Sequence, residues 1–316
     1  MTRSLRVLAT SVRVLAASLT VLTASLTVLA APAAGQGRFT NARTETRSAA
    51  QGLDREVRAI AARGGAAWIG YRAPMTASQR HMCCYDNISS AGNCCGICRL
   101  ENGSGVTMTT GDGQINGTRI ALEPPTEFIV MARVEAGSVM RIRTFTPDCD
   151  VDAGNMAVVW LNDVKADESV SWLTSLIEFS GTNASSTDYR NRVAKPALAA
   201  LAIHNTRSAL TTLVRISRES RDTRMRSDGL FWLAQRAGQE AVATIADAIE
   251  RDPETEVKKK AVFALSQLPH DEGVPKLLEI ARTHRNPEVR KQAFFWLGQT
   301  KDPRAIQFFE EILLKK

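Results

Sequence analysis

The strongest pattern in the chain is a hydrophobic register that returns every 32 residues in its C-terminal part. Phe231-Trp232-Leu233-Ala234-Gln235 comes back as Phe263-Ala264-Leu265-Ser266-Gln267, and again as Phe295-Trp296-Leu297-Gly298-Gln299. The same step relates Met225, Val257 and Val289, then the cations Arg226, Lys258 and Arg290. It also relates Val242, Val274 and Ile306, and Ile245, Leu277 and Phe309. One step upstream lies Leu201, with Leu210 and Leu213 in the second-helix register. Each period holds two stretches with apolar residues at three- and four-residue spacing, which predicts two amphipathic helices. Breakers at Asp252-Pro253, Pro269-His270-Asp271, Asn286-Pro287 and Asp302-Pro303 punctuate them. A helix pair this short cannot bury its apolar stripe alone. The pattern therefore predicts an all-α solenoid of about four stacked pairs over 193–316. Leu233, Leu265 and Leu297 are expected at equivalent buried positions.

The pattern upstream is different. Short β-favouring runs lie at 67–71, 105–110, 119–122, 128–134, 139–145 and 156–161, separated by Gly, Asn and Asp clusters. The runs 128–134 and 139–145, joined across Glu135-Ala136-Gly137, read as a hairpin. Residues 166–177 look helical, with Asp167 as a candidate N-cap. These elements predict an α+β, β-rich domain over 65–176. A polar tether containing a short helix at 54–62 is expected over 36–64, and a linker over 177–192.

The C-terminal motifs carry a resemblance. Asn286-Pro287-Glu288-Val289-Arg290-Lys291-Gln292-Ala293-Phe294-Phe295-Trp296-Leu297-Gly298, followed by Asp302-Pro303-Arg304-Ala305, resembles the HEAT-repeat family in its bilin-lyase-like subtype. Val257-Lys258 with Ala261 and Leu265 matches less fully. The resemblance covers about 193–316 and is strongest over 255–313. It implies helix-pair solenoids that bind other proteins through an extended surface. Two departures stand out. Gly229 sits inside a helix where Ala261 and Ala293 stand later, and Pro196 is expected to interrupt the earliest helix. Residues 65–176 carry no comparable signature, so the activity of the family's lyase members does not transfer.

Residues 1–35 read as an export signal. Arg3, Arg6 and Arg13 precede a Leu/Val/Ala/Thr stretch, and Ala31-Pro32-Ala33-Ala34-Gly35 suits a signal peptidase. The alternative is an uncleaved membrane anchor. Export makes the expected location secreted or periplasmic. The six cysteines, Cys83, Cys84, Cys94, Cys95, Cys98 and Cys149, all fall in the middle region, which points to disulfides whose pairing the sequence leaves open. The net charge of +7 divides into +3 in the leader, −1 over 36–192 and +5 over 193–316. That last excess is interspersed with acids, which argues against nucleic acid as the partner.

Candidate chemistry is sparse. Arg226, Lys258 and Arg290 form a recurring basic ladder. It reads either as a stripe for an acidic partner or as stitching between repeats. Trp232 and Trp296 share a register and read as binding anchors or as interior packing. Cys95-Gly96-Ile97-Cys98 has thiol–disulfide oxidoreductase spacing, without the aromatic residue or βαβ setting that such a site uses. His81 beside the cysteine clusters offers zinc donors at a spacing unusual for a finger. Asp148-Cys149-Asp150-Val151-Asp152 imitates a calcium loop but lacks its turn glycine and final glutamate. His204, His270 and His284 are scattered. Four Asn-X-Ser/Thr sequons begin at Asn87, Asn102, Asn116 and Asn183. The sequence thus reads as an exported, non-enzymatic scaffold that binds a protein partner and needs no cofactor. The alternative is an exported thiol–disulfide or metal-binding protein with its chemistry in 65–176.

Overall fold

Alternation with a period of two gives the first half a sheet with two buried faces. The computed structural model describes residues 37–76, 98–101, 125–147, 149–179, 181, 186–236 and 238–314, all within the compact unit Gln36–Lys316. The first elements are β1 (Arg38–Thr40), β2 (Arg43–Ser48), α1 (Leu53–Ala61), β3 (Ala67–Pro74) and β4 (Cys98–Arg99). They are followed by β5 (Glu127–Glu135), β6 (Ser138–Phe145), β7 (Asp150–Asp152), β8 (Ala157–Asn162) and α2 (Ala166–Ile177). The main sheet has the order β2-β8-β3-β5-β6. Its β2, β8 and β3 run parallel, and β3, β5 and β6 antiparallel. Ile69, Tyr71, Phe128, Val130 and Val134 bury one face in a core shared with α1 and α2. Trp68, Ile129, Met131 and Trp160 bury the other against residues of a small parallel sheet, β1-β7-β4.

The hairpin expected at 128–145 is β5–β6. Its turn places Ala136 at φ 47° and Gly137 at φ 77°. Two successive left-handed residues match the twist of a two-residue hairpin, and glycine at the second lowers the strain. Other segments differ from expectation. The expected tether instead holds strands β1 and β2, and β2 pairs with β8 from Arg43↔Ala157 to Ser48↔Asn162. As an edge strand it is almost wholly exposed, so its sequence shows no apolar alternation. The expected short helix is α1, whose first N–H, from Leu53, is accepted by Glu168 of α2 at 3.1 Å. The N-cap of α2 is Lys165, not Asp167. Asp167 lies in the first turn, where a carboxylate complements the helix dipole, and accepts the Ser208 hydroxyl at 2.6 Å. The Asp150–Asp152 part of the calcium-like stretch is strand β7. The runs at 105–110 and 119–122 lie outside the described residues.

The helical part comprises α3 (Thr187–Tyr189), a π-turn at Arg190–Ala194, α4 (Lys195–Ile203), α5 (Arg207–Glu219) and α6 (Thr223–Arg236). It continues with α7 (Gln239–Arg251), α8 (Thr255–Ser266), α9 (His270–Thr283), α10 (Pro287–Gln299) and α11 (Pro303–Leu314). Pro196 does not interrupt the first of these helices. The backbone runs from α3 through the π-turn into α4, and the Lys195 N–H reaches back five residues to Arg190. A proline at 196 has no N–H to lose in the wider turn, and that turn relieves the clash of its ring with the preceding carbonyls. Helices α4, α6, α8 and α10 pack side by side as one layer, with α5, α7, α9 and α11 behind them.

Leu233, Leu265 and Leu297 are each 0% exposed, as the register requires. Each contributes roughly 1.5–3 kcal/mol of burial. One core joins the sheet, α1, α2, α4 and α5 to Met225, Trp232 and Leu233 of α6. A second begins at Leu230 and Ala234 of the same helix and runs to α11. Helix α6 therefore couples the sheet to the repeats. Its Gly229 has a reason in packing: a Cβ there would sit 2.5 Å from the Ser217 hydroxyl of α5.

Candidate protein-binding site

The basic ladder is built into the junctions between repeats. Arg226 is buried, and its Nε and Nη2 donate to the two carboxylate oxygens of Asp252 at 2.7 and 3.1 Å. Its Nη1 donates to the Ser220 carbonyl, just past α5, at 2.7 Å. Lys258 donates to the carbonyls of Ile249 and Glu250 at the end of α7. Arg290 donates to those of His284 and Arg285, just past α9, at 2.7 and 3.1 Å. The last carbonyls of a helix lack intrahelical partners and carry its negative dipole end, so a cation from the next helix satisfies both needs. Of the two readings of the ladder, stitching describes these contacts.

The exposed face of the α6–α8–α10 layer carries a different stripe. Phe231, Phe263 and Phe295 lie two residues before the buried leucines, about 200° around the helix from them. Phe231 and Phe263 stack with rings 5° from parallel and centroids 6.1 Å apart. Phe263 meets Trp296 at 4.8 Å, and Phe295, 54% exposed, packs edge-on against Trp296 at 4.9 Å. Beside this ladder lies an open groove of about 450 Å³ lined by Glu256, Lys259, Lys260, Phe263, Gln292 and Trp296. Residues 256, 259, 260 and 263 share one helical face by their spacing. The two tryptophans separate here: Trp232 is interior, whereas Trp296 is half-buried at the groove. The Trp296 Nε1 has no hydrogen-bond partner among the described residues, so packing alone holds the indole.

The charges around the stripe are unevenly engaged. Glu256 binds Lys259 at 2.9 Å and keeps its ammonium above the usual lysine range. Asp228, on α6, lies 3.4 Å from Lys195, and its burial pushes the carboxyl up against that cation's pull. Lys260 and Lys291 are exposed and form no ion pair among the described residues. The groove thus offers an aromatic floor edged by two cations, Lys259, paired with Glu256, and Lys260, whose charge also acts on Asp228. In the sequence, Phe231, Phe263 and Phe295 mark the register of the repeat. Their signal was available: large apolar residues recurring at positions that helical periodicity places off the buried stripe.

A second convergence of polar groups is structural. Tyr71 of β3, Ser169 of α2 and His204 after α4 are all 0% exposed. His204 Nδ1 meets the Ala200 carbonyl at 2.8 Å, so it carries the proton, and Nε2 accepts from the Ser169 hydroxyl at 2.9 Å. The Tyr71 hydroxyl in turn donates to Ser169 at 2.8 Å. Every member is satisfied and shielded, which suits a joint between sheet and helices rather than a reaction site. Burial depresses His204 from 6.5 to about 4. The unfolded chain therefore takes up the proton first. This contribution to stability is intact above about pH 6.5 and is lost progressively as the pH falls to about 4, by roughly 3 kcal/mol. Urea midpoints of wild type and His204→Gln across that window test this. The fall with acid should be shallower in the variant, and parallel curves would contradict it.

Cys149 is buried, with its sulfur 3.4 Å from the Thr146 hydroxyl. Cys98 contributes its backbone to β4, pairing with Val151. His81, Cys83, Cys84, Cys94, Cys95, Asp148, Asn87, Asn102, Asn116 and Asn183 lie outside the described residues. Asp152 of the calcium-like stretch is occupied by Asn41 and the Gly154 N–H at 3.1 and 2.9 Å, which hold its carboxyl below the usual range. No cluster of three metal-ligating side chains occurs among the described residues, and no described helix is long and apolar enough to cross a membrane.

Comparison with a family model agrees with the helical geometry of the last helices. Residues 242–316 match the HEAT repeats, a span that holds most of α7 and all of α8 to α11. Among solved structures, the chain is similar to a chain in the complex of CpcE and CpcF of phycocyanin lyase from Nostoc sp. PCC7120. That similarity has 19% identity and a TM-score of 0.32, over 47% of this chain and 90% of that one. No curated protein matches.

Proposed function

We propose that this HEAT-repeat protein is a non-enzymatic binding scaffold whose α6–α8–α10 face holds an extended, acidic protein segment with an apolar anchor. The observation that carries the reading is the continuous ladder Phe231–Phe263–Trp296 along three successive helices. Aromatic side chains supply large contact area at low entropic cost and are the usual anchors of protein interfaces. Lys260, exposed in the lining of the groove, selects the charge of the partner, since rim cations steer association and reject like charge. The same reading places the protein outside the cytoplasm, from its leader residues, with its cysteines oxidised.

Selection of peptides from a random display library against the full chain tests this directly. The selected peptides should combine carboxylates with an aromatic or branched apolar residue. Trp296→Ala should bind them ~30-fold more weakly, as loss of a central aromatic anchor does. Lys260→Glu, at an exposed position, should remove the preference for acidic peptides while leaving the melting temperature unchanged. Selected peptides without acids, held equally well by both variants, would overturn the assignment.

A further inference from the structure

The 32-residue register lays two rows of residues beside the aromatic ladder. One row is Lys195, Ser227, Lys259 and Lys291, on α4, α6, α8 and α10. The other is Pro196, Asp228, Lys260 and Gln292, each three residues before Ala199, Phe231, Phe263 and Phe295. Residues three apart on a helix are neighbours, so Asp228 stands beside Phe231 as Lys260 stands beside Phe263. The two rows together hold four lysines and one acid, and the acid is on α6, the helix with no lysine in either row. Helices α4 and α8 both pack against α6. The Asp228 side chain is 34% exposed, and its Oδ2 is buried with the Lys195 ammonium of α4 at 3.4 Å, longer than a charge-assisted hydrogen bond. Burial works against its charge, and Lys260 of α8 offsets part of that cost. Asp222 of the same helix repels it but is itself drawn to Arg190 at 3.5 Å. A half-buried charge met this loosely contributes little to stability. Its effect falls instead on whatever approaches the face.

We propose that Asp228 is a specificity-determining residue of the α6–α8–α10 face, excluding a partner's carboxylates from the α6 end and directing them to Lys260 on α8. The inference rests on the reading of this face as the site of an acidic segment, and gives that segment a direction. A partner carboxylate over α6 meets a like charge that already holds Lys195. Over α8 it meets Lys260, which is exposed in the lining of the groove. The apolar anchor has no such conflict at the α6 end, where Phe231 continues the ladder to Phe263. The segment that fits is therefore charge-asymmetric, uncharged along Phe231 and acidic along α8. An evenly acidic stretch pays a repulsion at Asp228 that the asymmetric one avoids.

Calorimetric titration of the full chain tests this, with an acidic peptide from the display selection and its copy carrying Gln for Glu and Asn for Asp. Asp228→Asn should bind the acidic peptide ~5-fold more tightly than the wild type does, the size of one charge acting across several ångströms of protein surface. The amide copy should bind both proteins alike. A water-soluble carbodiimide, which joins a carboxylate to an amine with loss of water, locates the acid by peptide mapping. The acidic peptide should couple to Lys260 and not to Lys195 in the wild type, and to both in Asp228→Asn. Unchanged affinity in the variant, an equal gain for the amide copy, or coupling to Lys195 in the wild type would each overturn the role of Asp228. Failure of the underlying reading looks different. The selection then yields no acidic peptide, or one that the wild type holds no better than its amide copy and that is indifferent to Trp296→Ala, and the inference falls with it.

Discussion

Replacing Asp252 by alanine is expected to destabilise the protein by about 3–5 kcal/mol, because it leaves the Arg226 guanidinium buried without its counter-charge. Asp252 and Arg226 are both under 10% exposed and joined by two hydrogen bonds. The Ser220 carbonyl remains as a partner for Nη1 but cannot neutralise the cation. A single rescue separates the charge from the position. Arg226→Met combined with Asp252→Leu should recover most of the loss, since well-packed apolar side chains often replace a buried ion pair without penalty. A residue of about 1 kcal/mol should persist, because Asp252 also accepts the Glu254 N–H at 2.9 Å in the turn leading to α8. Urea denaturation of the two variants measures both effects. An Asp252→Ala midpoint close to wild type would show that the pair is not holding this junction.

The second large effect falls on the repeating leucines. Leu233→Ala, Leu265→Ala and Leu297→Ala should each lose about 2–5 kcal/mol, the range for a buried leucine removed from a packed core. The three should differ in what unfolds. Leu233 packs in the core shared with the sheet, while Leu230 and Ala234 on the same helix belong to the core of the later repeats. Its loss should therefore weaken both regions together. Leu297 lies in the last pairs, so its loss should open α10 and α11 while the sheet stays folded. Near-UV circular dichroism alongside backbone circular dichroism distinguishes the outcomes. Leu265→Asp should go further and leave the repeats unfolded, because it forces a charge into a position with no exposure.

The repeats were legible because each period restates the same demand. Leu233, Leu265 and Leu297 identify the buried face without knowledge of any partner, and the breakers at Pro269, Asn286-Pro287 and Asp302-Pro303 mark the helix ends. Helix α2 and the β5–β6 hairpin were legible for a related reason: their patterns are local. Strand β2 was not, since Arg43 to Ser48 is an exposed edge whose pairing with β8 spans more than a hundred residues. The partner of Arg226 was equally hidden. No local spacing marks it, because the carboxylate that reaches the guanidinium is Asp252, 26 residues on, brought over by the packing of α6 and α7. The site itself was half visible. The aromatics were found as a recurrence, but their role on the outer face depends on which side of α6, α8 and α10 the neighbouring helices cover.

Hydrogen–deuterium exchange on the full chain, with and without a peptide obtained by the selection described above, bears most directly on the binding role. Added protection should appear along α6, α8 and α10, concentrated at the turns bearing Phe231, Phe263 and Trp296, with α7 and α9 unchanged. Protection confined to the sheet, or to the α7 and α9 side of the stack, would contradict it.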